Sequence, residues 1–161
     1  MREATIADIP AIIRLWRMFY EEALFQICRI PFNAESVLET VANISNKGIV
    51  FVAEIDDRIV GVIMGMILPF GWNKNYILAM EAIWYVEKEY RGNLLGVKLL
   101  DSFEEAGKEK GATHIAMGHM EYMDGKTRKP ILSDKGWITT SQYYRKKGYK
   151  IMEQHYIKEL K

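Results

Sequence analysis

The 161 residues suffice for one domain with a proper core, and a composition 49% hydrophobic and 27% charged is that of an ordinary globular chain. A formal net charge of +1 gives no electrostatic footprint for nucleic acid or an anionic membrane. The single cysteine, Cys28, excludes an intramolecular disulfide, and without a C-x-x-C or H-E-x-x-H pattern no metal site finds its ligands at usable spacing.

The opening, MREATIADIP, is charged from its second residue and has no apolar signal segment; the longest apolar runs fall far short of a bilayer span. The expectation is a reduced, cytoplasmic protein with no membrane partner. No repeat, low-complexity stretch or Pro/Gly/Ser-rich linker divides the chain, so residues 1–161 are expected to form a single domain. Asp8 reads as an N-cap, with Pro10 just inside the first turn where its missing N–H costs little. Ile9, Ile12, Ile13, Trp16, Phe19, Tyr20, Ala23 and Leu24 recur at helical spacing and predict an amphipathic helix over 9–24. Residues 25–33 break the pattern around Pro31. Asn33 then caps a second helix, with Val37, Leu38, Val41 and Ile44 on its buried face and Gly48 as its stop.

The period then changes. Residues 49–55 (IVFVAEI) and 59–67 (IVGVIMGMI) are rich in β-branched side chains and flank a hairpin turn at Asp56, Asp57 and Arg58. Residues 68–78, with Pro69, Gly71, Asn73 and Asn75, read as a loop. Residues 79–87 (AMEAIWYVE) form a strand apolar on both faces except at Glu81, the pattern of a central strand. A helix follows over 94–110, carried by Leu94, Leu95, Leu99, Leu100 and Phe103 and ended by Gly111. A strand at 113–119, an irregular stretch at 120–136, a short helix near 139–147 stopped at Gly148 and a last strand at 149–158 complete the chain. Strand–helix–strand units behind an antiparallel hairpin make an α/β fold with a central mixed sheet and helices on both faces.

The chemistry concentrates at residues 86–100, VEKEYRGNLLGVKLL, where the central strand enters a glycine-containing turn and then a helix. Free N–H groups at that helix start, with the positive end of its dipole, form an anion site. Gly92 and Gly96 allow close approach of a bulky phosphate, and Arg91 can add a paired donor. The turn lacks the Gly-Lys-Ser/Thr of a nucleotide-binding loop and the G-x-G-x-x-G of a dinucleotide fingerprint.

Val86, Tyr90, Arg91, Gly92, Gly96, Leu99 and Leu100 resemble the signature of the GNAT acetyltransferases: a Val, an Arg or Gln opening a pyrophosphate loop, and a leucine-rich helix. Tyr144-Arg145-Lys146-Lys147-Gly148-Tyr149 is similar to the family's Tyr-x-x-x-Gly-Phe/Tyr element. Residues 2–15, with Thr5, Asp8 and Pro10, and the hairpin at 52–63 look like the corresponding family segments, so the likeness covers nearly the whole chain. Two positions depart. Leu94 stands where the loop usually has a second glycine, and Trp137 where the family often has Asn.

The resemblance implies a twisted mixed sheet of the GNAT fold, with acetyl-coenzyme A as cosubstrate on Arg91, Gly92, Asn93, Leu94, Leu95 and Gly96. It implies direct attack of a primary amine, from a small molecule or a protein, in a ternary complex. Strand N–H groups near Tyr85 and Val86 would steady the developing oxyanion, and Tyr144 would protonate the leaving thiolate. The other function open to this fold is binding of coenzyme A or an acyl form without catalysis, as a sensor or interaction module. Proteins of this type are often homodimers; these residues do not decide the point.

Each candidate has a plainer reading beside it. Tyr144 is either the general acid or a helix residue packed next to Tyr143, which takes the role if the register is off by one. Glu81 is either the base, its pKa raised by burial, or a strand-end Glu reaching solvent or an Arg. It lies an odd number of residues before Val86, so a flat strand puts the two on opposite faces and the strand must twist or bulge for both to serve one site. His119 and Glu121 are the next bases. His114 and His155 read as structural, Cys28 as a small apolar residue, and Trp16, Phe19 and Tyr20 as core. Phe70, Trp72 and Tyr76 are expected in a loop that can carry specificity. The 120–136 stretch, with Glu121, Asp124 and Asp134, reads equally as an acceptor wall or a solvated loop, and the basic run 145–150 as a helix end that either approaches the cofactor's outer phosphate or is simply solvated.

Overall fold

The computed structural model describes residues 1–23, 30–118, 131–133, 136–138 and 140–152, the two short segments at 131–138 by their backbone alone. Its elements in chain order are β1 (Arg2–Glu3), α1 (Ile9–Glu22), α2 (Ala34–Lys47), β2 (Ile49–Ile55), β3 (Arg58–Phe70), β4 (Asn73–Val86), α3 (Leu95–Glu109), β5 (His114–Ala116), β6 (Ile131–Ser133), β7 (Gly136–Ile138) and α4 (Thr140–Lys146). Five strands form one mixed sheet in the order β1-β2-β3-β4-β5, antiparallel up to β4 and parallel between β4 and β5. No helix among the described residues is long and apolar enough to cross a membrane.

Helices cover both faces, as the strand patterning requires. On one face Ile12 and Leu15 of α1 and Val41 and Ile44 of α2 pack on Val50, Val52, Val62, Met64, Ile83 and Tyr85. On the other, Leu99, Leu100 and Phe103 of α3 and Tyr143 and Tyr144 of α4 pack on Ala53, Ile63, Ala79 and Val86. Because side chains alternate along each strand, one run of apolar residues feeds two cores.

Several expectations change on contact with the fold. β1, too short to carry a pattern, pairs with β2 through Arg2–Val52 and Glu3–Phe51. Asp8 does not cap α1 with its side chain. Its carboxylate accepts instead from the backbone N–H of Thr5 at 2.7 Å and from both terminal nitrogens of Arg2 at 2.7 and 2.9 Å, which holds it well below the usual carboxylate range. Asn33 caps α2 as expected, its Oδ1 accepting from the Ser36 N–H at 2.8 Å, but Leu38 is 45% exposed and does not belong to the buried face. The hairpin turn is the two residues Asp56 and Asp57, both left-handed (φ 48° and 59°), and Arg58 already pairs with Ile55.

The expected loop at 68–78 is instead a long hairpin. β3 runs on to Phe70 and β4 starts at Asn73, leaving only Gly71 and Trp72 to turn. Cross-strand pairs Leu68–Leu78 and Pro69–Ile77 outweigh the local preference of the Asn and Pro residues for loop. Residues 131–133, inside the stretch expected to be irregular, pair with residues 136–138 at and just past its end as a small antiparallel hairpin. Residues 149–152 carry no strand pairing, and the rest of the last expected strand lies outside the described residues, as do Leu24, Cys28, His119, Glu121, Asp124, Asp134 and His155.

Candidate active site

β4 and β5 pair only from Leu78–His114 to Met80–Ala116. Beyond Glu81 the far edge of β4 meets no strand among the described residues, so the sheet splits there, with α3 starting at one end of the gap. The β3–β4 register slips by one residue at this point: Met64 faces Ile83 and Gly65 faces Glu81, leaving Ala82 as a bulge. The bulge resolves the parity problem. Counting through it, Glu81 joins Ala79, Trp84 and Val86 on the α3 face, while Ile83 and Tyr85 turn to the α1–α2 face. Gly65 permits this close passage, since a Cβ there would collide with the Met80 carbonyl and stand 2.8 Å from the Phe103 ring.

Glu81 is half-buried, and its carboxylate accepts from the backbone N–H of Gly118 at 2.8 Å. Desolvation outweighs that single hydrogen bond and pushes its pKa up to about 7. The carbonyl of the same Gly118 accepts from the Tyr144 hydroxyl at 3.2 Å. One residue of the segment after β5 therefore joins the expected base and the expected acid, which come from the middle strand and from a helix late in the chain. Tyr144 is 8% exposed, its ring 5.9 Å from that of Trp84 and 5.3 Å from that of Tyr149. Tyr143, the alternative, is buried in the α3-side core, where desolvation raises its pKa.

The turn after β4 leaves its donors open. Gly92 is left-handed at φ 86°, and Leu94 and Asn93 bring the chain into α3, with the Asn93 Oδ1 accepting from the Leu95 N–H at 2.9 Å. Among the described residues no acceptor meets the amides of Gly92, Asn93, Leu94, Gly96 and Val97. Leu94, the departure from the glycine pattern, is 51% exposed and begins no helical turn early, since α3 starts at Leu95. A diphosphate therefore fits the donor set, which is the chemistry of an anion at a helix start.

Three details correct the expectations. The Arg91 guanidinium is turned into the fold: its Nε donates to the Val86 carbonyl at 2.6 Å, it pairs with Glu22 at 2.8 Å, and it lies over the Tyr85 ring at 4.9 Å. The open donors of the turn are thus its amides. Tyr85 does not offer its backbone N–H to the gap. Glu87 N–H bonds the Val60 carbonyl at 2.9 Å, and the alternation of an antiparallel ladder then gives Tyr85 to β3 and points the N–H groups of Trp84 and Val86 away from it. Lys147 in the basic run is held by Asp101 at 2.6 Å and Glu104 at 2.9 Å, bracing α4 on α3. The aromatic residues expected in a specificity loop lie on the hairpin tip and beside β5, with Phe70 and Trp72 rings 5.1 Å apart and Tyr76 and His114 rings 5.7 Å apart.

Sequence reasoning overlooked Trp84 and Gly118. Trp84 shares its face with Val86, a period-2 signal, and its Nε1 donates to the Gly96 carbonyl at 3.2 Å, tying the strand to the start of α3. Gly118 had no signal, because its role is carried by main-chain atoms.

The profile of the acetyltransferase (GNAT) domain matches residues 46–151. No curated protein matches the chain in sequence. Among solved structures, a predicted acetyltransferase from Clostridium acetobutylicum with acetyl-CoA is 18% identical at a TM-score of 0.68, covering 98% of this chain and 94% of its own. An aminoglycoside acetyltransferase from an uncultured soil metagenomic sample, in complex with sisomicin, is 19% identical at a TM-score of 0.68, covering 99% and 95%. Glucosamine-6-phosphate N-acetyltransferase from Arabidopsis thaliana is 15% identical at a TM-score of 0.67, covering 99% and 97%. At these identities the likeness concerns the fold.

Proposed function

Because this chain belongs to the GNAT family of acetyltransferases, we propose that it moves an acetyl group from acetyl-coenzyme A to a primary amine by direct attack in a ternary complex. The observation that carries the reading is the pairing of Glu81 and Tyr144 through Gly118, where β4 and β5 part company. Relatives of this fold that act on an aminoglycoside or on glucosamine 6-phosphate carry amines of small molecules, and a protein amine suits the same chemistry. The acceptor class is therefore a primary amine of either kind, and the chain acts as one catalytic domain.

Bound acetyl-coenzyme A supplies a thioester carbonyl as electrophile and a thiolate as leaving group. Every other task falls to the chain. The amides of Gly92, Asn93, Leu94, Gly96 and Val97 hold the diphosphate, with Leu95 and Arg91 framing the turn. The N–H groups of Trp84 and Val86 receive the charge that develops on the carbonyl oxygen. An acceptor ammonium with a pKa near 10 is no nucleophile, so Glu81 takes its proton, directly or through water, as a carboxylate poised at about 7. As the new C–N bond forms and the C–S bond breaks, the nitrogen gives up its second surplus proton to solvent, and the Tyr144 hydroxyl donates its own proton to sulfur and is reprotonated from solvent. The proton on Glu81 returns to solvent as well.

Calorimetry with acetyl-coenzyme A and a thiol-release assay across an amine panel test the proposal. Saturable binding with amine-dependent thiol release is the expected result. Absence of saturable binding would sink it, and binding without release under every amine would make the chain a coenzyme A-binding module.

A further inference from the structure

A carboxylate far from the Glu81–Tyr144 pair closes the other side of the turn. Glu22 is the last residue of α1, and its side chain is 11% exposed. One of its oxygens accepts from the Tyr85 hydroxyl at 2.5 Å, and the other pairs with the Arg91 Nη2 at 2.8 Å; the Lys88 ammonium stands 3.9 Å away. Tyr85 is itself held by the Phe19 ring, edge-on at 6.0 Å. Burial and the Glu22 carboxylate push the Tyr85 phenol up, so it remains a donor at any physiological pH.

The turn at 92–94 has little to hold it by itself. Gly92 has no side chain, the Asn93 side chain is used within the turn on Leu95, and Leu94 is half exposed. Its place in space is inherited from α3 on one side and from Arg91 on the other. Two of the groups that hold the Arg91 guanidinium, the Val86 carbonyl and the Tyr85 ring, belong to the strand leading into the same turn. Among the described residues Glu22 is the partner that comes from a different element.

We propose that Glu22 is a positioning residue for cofactor binding: through Arg91 and Tyr85 it locks the turn at 92–94 to the end of α1, so that the turn's amides stand ready for a diphosphate. The inference rests on the acetyl-coenzyme A reading above. A carboxylate on the α1 side of an anion site is repulsive in itself. It is tolerated because Arg91 and Lys88 neutralise it, and the guanidinium fork then fixes a direction that a lysine ammonium would not. Without Glu22 the Arg91 side chain loses its only carboxylate among the described residues, and the turn keeps its amides but not their common aim.

Glu22→Gln is the test, read with two ligands. Acetyl-coenzyme A carries the diphosphate; S-acetylpantetheine carries the same thioester and arm without it. Calorimetry for the first and ligand-observed NMR for the second give both dissociation constants for wild type and variant. Glu22→Gln weakens acetyl-coenzyme A about tenfold, the order expected for a lost charged hydrogen bond that aligns the site, and leaves S-acetylpantetheine within twofold. Tyr85→Phe, a milder change that keeps the carboxylate, moves acetyl-coenzyme A in the same direction by about threefold and serves if Glu22→Gln melts below the assay temperature. Unchanged or tighter binding of acetyl-coenzyme A overturns the proposal. Equal weakening of both ligands also overturns it, since that is general loosening of the fold. A wild-type protein that binds neither ligand removes the acetyl-coenzyme A reading itself.

Discussion

Glu81 in β4 and Glu87 just past its end both turn their carboxylates into the fold, yet their surroundings have little in common. Glu87 is 2% exposed and each of its oxygens has its own guanidinium, Arg14 at 2.6 Å and Arg58 at 2.7 Å. Arg14 also donates to the Ile59 carbonyl at 2.6 Å, so the carboxylate clamps α1 to the β2–β3 hairpin. Glu81 has one backbone amide and no cation among the described residues. A carboxylate matched by cations on two elements serves the architecture. One with a single dipole and no cation has its pKa pushed up to about 7 by desolvation, the range that the proposed base requires. Burial alone therefore does not mark a functional acid; the inventory of its partners does.

Substitution at Glu81 puts that contrast under the greatest strain. Glu81→Gln lowers amine-dependent thiol release by about 10²- to 10⁴-fold at pH 7, and it abolishes the rise of the wild-type rate with pH up to about 7. Stability should move the other way. A carboxyl whose folded-state pKa of about 7 lies above its ordinary 4.5 favours the folded state at acid pH, an advantage that fades as pH rises from about 4.5 and is gone above about 7. Urea unfolding should show that slope in wild type and its loss in Glu81→Gln. A variant that keeps full activity refutes the base.

Tyr144→Phe probes the partner across Gly118. Its effect on turnover is smaller, about 10- to 100-fold, because a thiol near pKa 8.5 is already a fair leaving group at neutral pH. Retention of wild-type turnover and pH profile refutes the acid. The smallest effect on catalysis and the clearest on stability belong to Glu87→Gln. It destabilises by about 1–3 kcal/mol, less than for a fully buried pair because the Arg14 and Arg58 side chains are 39% and 53% exposed and can turn to water. If Glu87→Gln instead lost activity with unchanged unfolding, the division of labour between the two carboxylates would be wrong.

Much of this was legible residue by residue. The strand at 79–87 announced itself as central through apolar side chains on both faces, and Glu81 stood out against that background. The helix expected from Leu94, which begins one residue later, its glycine turn and the Tyr144 element were set by local pattern, as were the stops at Gly48, Gly111 and Gly148. Elsewhere local pattern misled. Pro69, Asn73 and Asn75 spoke for a loop where cross-strand pairing made a ladder, and Asp8 looked like a helix cap where Arg2 claimed its carboxylate. Arg91 looked like a phosphate ligand because its position in the motif cannot show that Glu22 lies beside it.

The amino-acid sequence by itself determined the helices, the central strands, the two-faced sheet and the candidates for acid–base work, since these follow from hydrophobic period, turn residues and side-chain pKa. Only the tertiary structure decided which of those residues meet. A one-residue bulge at Ala82 turns Glu81 to the face of Val86, and the main chain of Gly118 brings Tyr144 to it. Both depend on strand register and on backbone groups that every residue possesses, which is why no side-chain pattern could foretell them.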